Sequence, residues 1–165
     1  ASVVNLRREA SLRGVAAERL IFSEWTASYD EHLARYGVAD LFLDTLPYTA
    51  HTTASDALWM ACPVVTCLGK AFPGRVAASV LKCAGLSQLA TLSLPDFQAL
   101  AINLGNDPEQ LKALRRQLRE TRAIHPLFDT PRITRSLEAA FLRMWEKHSN
   151  GEPTGSIEVY EAEFR

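Results

Sequence analysis

His51, Thr52 and Thr53, followed one turn later by Asp56, are the residues of this chain best suited to acting on a ligand. They stand after a short apolar run of Val38, Leu41, Phe42 and Leu43, which suits a buried parallel strand. A helical period follows, with Ala54, Ala57, Leu58 and Ala61 at i, i+3, i+4 and i+7. A helix start leaves its first amides unpaired and carries the positive dipole end, so it attracts anions; two adjacent hydroxyls add donors. The pattern suits a phosphate-bearing ligand. Capping is the plain alternative, since threonine is an ordinary N-cap and that role accounts for one of the two hydroxyls. Asp56 likewise suits the helix dipole with no ligand present. What favours a ligand is position, because open α/β sheets bind at the carboxyl ends of their strands.

The elements that must carry these residues follow from period and punctuation. Strands are expected at Leu20–Phe22, Val38–Asp44, Pro63–Leu68 and Leu89–Leu92. Pro47 ends the second of these, because it has no amide to give to a ladder. Helices are expected up to Gly14, over Asp30–Tyr36, over Thr52–Ala61 and over Arg75–Ala84 with Gly85 as the stop. Ser93 with Asp96 has the form of a capping box, Asp107-Pro108 a strong helix start, and Thr130-Pro131 a repeat of that device. Alternation of strand and helix predicts an α/β fold, a Rossmann-like parallel sheet with flanking helices. Residues 1–150 are read as one domain and 151–165 as a mobile tail.

At 165 residues, with 47% hydrophobic and 22% charged residues, the composition is that of a globular protein. A net charge of −1 leaves no basic footprint for nucleic acid or for a membrane surface. The start lacks a signal-peptide pattern and reads as a cut in a longer chain; the expected location is the cytoplasm. Cys62, Cys67 and Cys83 read as reduced, buried thiols, and no metal site is expected from their spacing. Arg115, Arg116, Arg119 and Arg122 read as a solvated face beside their Glu neighbours, and His125 and His148 as structural.

Five stretches together carry a resemblance: Leu41-Phe-Leu-Asp-Thr45, His51-Thr-Thr53, Asp56-Ala-Leu-Trp59, Pro63-Val-Val-Thr66 and Arg75-Val-Ala-Ala-Ser79. With Leu127-Phe-Asp-Thr130 and Met144-Trp-Glu146, they resemble the C-terminal half of the catalytic region of protein O-GlcNAc transferases and SPINDLY-like glycosyltransferases, including bacterial TPR-linked ones. The resemblance implies the nucleotide-sugar-binding lobe of a GT-B glycosyltransferase, truncated at its N-terminus. It implies UDP-GlcNAc as donor, a protein Ser or Thr as acceptor, inversion, no metal and no cofactor. By the same resemblance His51, Thr52 and Thr53 match a diphosphate and sugar clamp, and Asp56 a ribose acceptor. His32 and Arg35 match the pair at uracil, and Trp25 and Thr26 backbone contacts to the base edge. Catalytic groups, the acceptor groove and upstream TPR units are expected outside this chain, so the piece alone is not expected to be active.

One departure stands out. Trp25-Thr-Ala-Ser-Tyr29 lies where the family often places a Lys towards ribose and phosphate, so weak nucleotide affinity is expected. That departure supports an alternative, a non-catalytic GT-B-like scaffold or interaction module. A related transferase using another nucleotide sugar is a second alternative.

Overall fold

Four residues without a charged break, Val64, Val65, Thr66 and Cys67, suit a strand covered on both faces, and all four are buried in strand β2 (Val64–Cys67). Parallel partners flank it: Phe42 of β1 (Phe42–Leu43) lies opposite Val64, and Ala90 of β3 (Ala90–Thr91) opposite Thr66. The sheet among the described residues therefore has three parallel strands in the order β1-β2-β3, as the α/β reading predicts. The chain is described by a computed structural model over residues 1–160, in two units, Ala1–His32 and Leu33 onward.

In the second unit the helices cover the central strand. Helices α3 (Thr52–Trp59), α4 (Val76–Cys83) and α5 (Leu94–Asn106) pack on β2, and α6 (Pro108–Thr121) packs on α3 and α5. The core they enclose is centred on Leu58, Val64, Val65, Leu81, Leu86, Leu89 and Leu104, each at most 2% exposed. Helix α7 (Thr130–Ser149) has no fully buried residue. Residues 152–160 form no regular element, with Arg143 donating to the Glu158 carbonyl; the rest of the expected tail, 161–165, lies outside the described residues.

Helix starts follow the side-chain chemistry read from the sequence, with one shift. Ser93 accepts from the Asp96 amide at 3.2 Å and Asp107 from the Gln110 amide at 2.9 Å. At α7 the cap is Asp129, which accepts from the Arg132 amide at 3.0 Å. Thr130 and Pro131 are thus the first two helical residues, and the helix begins one residue earlier than expected, because a carboxylate competes better than a hydroxyl for the amide.

Strand boundaries differ more. Val38 to Leu41 does not join β1: Val38 is 88% exposed, and the Gly37 and Ala39 carbonyls are taken by the Arg115 guanidinium at 3.3 and 2.7 Å. Arg115 and Arg122 therefore leave the solvated face expected of them. Arg122 donates to the Trp59 carbonyl at 2.9 Å and lies 5.0 Å from the centre of the Trp59 ring, which also meets Phe128 edge-on. The His125 Nδ1 contacts the Cys83 carbonyl at 2.7 Å, a structural role as expected.

The first unit holds α1 (Ser2–Leu12), a short 3-10 turn at Ala17–Arg19 and the first half of helix α2 (Tyr29–Tyr36). Gly14, with φ +75°, turns the chain after α1 as a C-terminal stop. The expected strand at Leu20–Phe22 does not form. No strand lies beside it among the described residues, Ile21 is exposed, and Phe22 instead sits beneath the Arg7 guanidinium at 5.4 Å.

Two outcomes are expected. Leu81→Ala, removing a wholly buried side chain, should cost about 2–5 kcal/mol in urea unfolding. Of the three thiols, Cys62 and Cys67 are buried and Cys83 is exposed, against the expectation that all three are buried. Burial raises the Cys62 pKa to about 11, offset in part by Arg115 and reinforced by Asp40. The unfolded chain ionises this thiol more readily, so its stabilising contribution is complete below the free-thiol pKa of about 8.5 and is lost as pH rises towards about 11. Ellman's reagent at pH 8 should therefore react with exposed Cys83 well before buried Cys62, whose reaction waits on opening of the fold.

Candidate functional site

The loop between β1 and α3 is held at three points. At its start the Asp44 carboxylate, 7% exposed, accepts from the Thr45 and Ala50 amides, both at 2.8 Å, and from the Thr66 hydroxyl on β2 at 2.6 Å. Thr49, 1% exposed, donates its hydroxyl to the Pro73 carbonyl at 2.6 Å and its amide to the same oxygen at 3.0 Å. The Thr49 hydroxyl also accepts from the Ala77 amide, in the first turn of α4, at 3.4 Å. Finally, the His51 Nε2 lies 3.4 Å from the Pro73 carbonyl; since a carbonyl only accepts, a bond here requires the tautomer protonated on that nitrogen.

These ties set two loops against each other, and the second loop is shaped for close approach. A Cβ on Gly69 would lie 3.0 Å from the Gly74 Cα, and one on Gly74 would lie 3.0 Å from the Pro47 carbonyl oxygen. Both contacts are with backbone, so a side chain at either position requires the facing main chain to give by a few tenths of an ångström.

At the loop's end, His51 is the N-cap residue of α3 and makes no side-chain cap; Thr52 and Thr53 are the first two helical residues. Capping therefore explains neither threonine. Both are exposed, and neither hydroxyl has a hydrogen-bond partner among the described residues. The contrast with the other starts from α4 to α7 is chemical. Thr49 serves α4, and Ser93, Asp107 and Asp129 serve α5, α6 and α7, whereas no side chain among the described residues caps α3. Its amide end faces outward with two hydroxyls beside it.

Aromatic rings border this end. Tyr48 stacks on His51 with ring centres 4.8 Å apart, and Phe72 meets His51 edge-on at 6.3 Å; Tyr48 and Phe72 are both exposed. Asp56, one turn along α3, is 7% exposed. Burial first, and then the nearby Asp56 carboxylate, raise the Tyr36 hydroxyl above its ordinary pKa, with Cys62 adding and Arg35 opposing. Asp56 thus shares its surroundings with the end of α2. Arg75, exposed at the N-cap of α4, lines an open groove of about 590 Å³ with Leu68, Ser79, Lys82 and the same Phe72.

The structure brings His51, Thr52, Thr53 and Asp56 together on one loop-and-helix segment, and Arg35 belongs to the same unit. Trp25, Thr26 and His32 belong to the first unit: Trp25 is exposed, Thr26 is half-buried, and His32 stacks on Tyr29 with centres 6.0 Å apart. Sequence reasoning missed Asp44, Thr49 and Tyr48 as parts of the site's frame. The first two act on partners 22 to 28 positions away, which local spacing does not reveal.

Comparison with known proteins identifies the family of the chain. A family model described as "Glycosyl transferase family 41" matches residues 2–137. The chain is 33% identical over 162 residues to the probable UDP-N-acetylglucosamine–peptide N-acetylglucosaminyltransferase SEC of Arabidopsis thaliana, covering 98% of this chain and 16% of that protein. It is 31% identical over 153 residues to the corresponding transferase of Caenorhabditis elegans, covering 93% of this chain and 13% of that protein. Among solved structures, a mutant O-GlcNAc transferase of Thermobaculum terrenum matches with TM-score 0.78 and 38% identity, over 87% of this chain and 27% of that one. The chain thus spans a sixth or less of those two curated relatives. Its parallel sheet and flanking helices match the GT-B structure of an O-GlcNAc transferase, and the chain belongs to glycosyltransferase family 41.

Proposed function

We propose that this chain is the donor-binding part of a protein O-GlcNAc transferase. In this reading UDP-GlcNAc lies with its diphosphate at the start of α3, and the sugar passes to a Ser or Thr hydroxyl of a protein with inversion. The observation that carries the reading is the uncapped α3 start, where Thr52 and Thr53 keep both hydroxyls clear of the chain's own hydrogen bonds. Amides and hydroxyls fixed before the reaction suit a leaving diphosphate, because its charge grows as the glycosidic bond breaks. That supply of donors is what makes transfer without a metal reasonable chemistry here. His51, held through Nε2 by Pro73, keeps Nδ1 for the ligand side.

The remaining roles rest on the family resemblance. Asp56 is assigned to the ribose hydroxyls, His32 and Arg35 to uracil, and Trp25 and Thr26 to the edge of the base. The catalytic base, the acceptor groove and TPR units belong in this reading to parts of the protein outside these residues. No helix among the described residues is long and apolar enough to cross a membrane, and the proposed setting is the cytoplasm.

Calorimetric titration of the full chain with UDP tests the reading. A hydrogen bond to a charged oxygen contributes about 1.5–3 kcal/mol, so Thr52→Ala with Thr53→Ala should weaken UDP binding by about tenfold or more. Equal affinity in the double variant would count against the diphosphate assignment. Absence of UDP binding by the unaltered protein would favour a scaffold role.

A further inference from the structure

The Asp44 carboxylate is buried, carries no role in the site proposed above, and yet has both oxygens engaged. Its Oδ1 gathers the amides at the two ends of the loop, Thr45 and Ala50, and its Oδ2 takes the hydroxyl of Thr66 in the middle of the buried sheet. Ala50 immediately precedes His51. The loop's exit into α3 is therefore tied through one carboxylate to β2, the strand on which the core is built. Of the carboxylate's roughly four acceptor positions, three are thus taken by the chain itself.

We infer that Asp44 is a positioning residue for diphosphate binding: it fixes where His51, Thr52 and Thr53 sit by tying Ala50 to Thr66 of the core strand. The inference rests on the diphosphate reading above and adds a determinant to it. Hydrogen bonds to an ionised acceptor are short and strong, so a carboxylate holds the loop more stiffly than a neutral group. Alanine at this place leaves three donors without their acceptor, one of them the wholly buried Thr66 hydroxyl. Asparagine is a close mimic, since its oxygen still takes both amides and its NH2 donates to the Thr66 oxygen.

The experiment compares UDP with uridine, which lacks the diphosphate, by ligand-observed NMR titration of the full chain and its variants. Asp44→Ala should weaken UDP by about tenfold while leaving uridine within twofold, and Asp44→Asn should recover UDP to within about threefold. Equal loss of UDP and uridine in Asp44→Ala would overturn the inference, because a general structural defect does not single out the diphosphate. Unchanged UDP affinity in a folded Asp44→Ala would overturn it as well. Should Asp44→Ala not fold, Thr66→Val decides: UDP weakened by about threefold with uridine unchanged supports the inference, and unchanged UDP overturns it. The Thr52→Ala and Thr53→Ala pair separates the two readings. If that pair weakens UDP and the Asp44 and Thr66 variants do not, positioning fails while the diphosphate site stands. If the pair has no effect, the diphosphate reading itself fails.

Discussion

A carboxylate taken out of water must be surrounded by donors, and Asp44 meets that requirement by drawing three segments to one point. The edge strand β1, the loop that leaves it and the central strand β2 converge there. Because β2 is buried along its whole length, it moves only with the core. Whatever geometry the loop has is therefore borrowed from the core of the second unit. A recognition surface built on a loop ordinarily trades precision for reach; here the carboxylate restores precision.

The helix starts show how the chain distributes its donors and acceptors. Four of the five helices from α3 to α7 have a side-chain oxygen spent on the first-turn amides, and at α4 that oxygen comes from Thr49, far away in sequence. Supplying such an oxygen is easy, as Ser93 and Asp107 show. At α3 the residue in the cap position is a histidine turned towards Pro73, and the hydroxyls come one and two residues too late to serve their own helix. A small displacement along the chain thus converts ordinary capping residues into donors that face outward.

Much of this was legible because it is local. The Ser93 and Asp107 starts, the Gly14 and Gly85 stops and the apolar spacing of α3 each depend on neighbours within a turn, and the structure follows them. The grouping of His51, Thr52 and Thr53 at a helix start was readable for the same reason, although the cap lies one residue earlier than a threonine cap requires. What stayed hidden depends on contacts far along the chain. Arg115 looks like any surface arginine until its guanidinium is seen holding the carbonyls of Gly37 and Ala39, where a neighbouring strand was expected. Leu20–Phe22 has the composition of a strand, and composition alone does not supply the ladder that a strand needs. Asp44 and Thr66 each lie in a stretch that carries the family resemblance, but nothing local shows that they bond to each other.

Gly69 and Gly74 have a consequence for how this surface can change over time. Their backbones meet so closely that a methyl group on either would press on main-chain atoms 3.0 Å away, and Gly74 is next along the chain to Pro73, whose carbonyl Thr49 and His51 share. Neither glycine has a left-handed backbone, so it is room and not torsion that confines them. Two positions that offer a ligand no side chain thereby limit change near this site, because any carbon added there must be accommodated by the facing backbone.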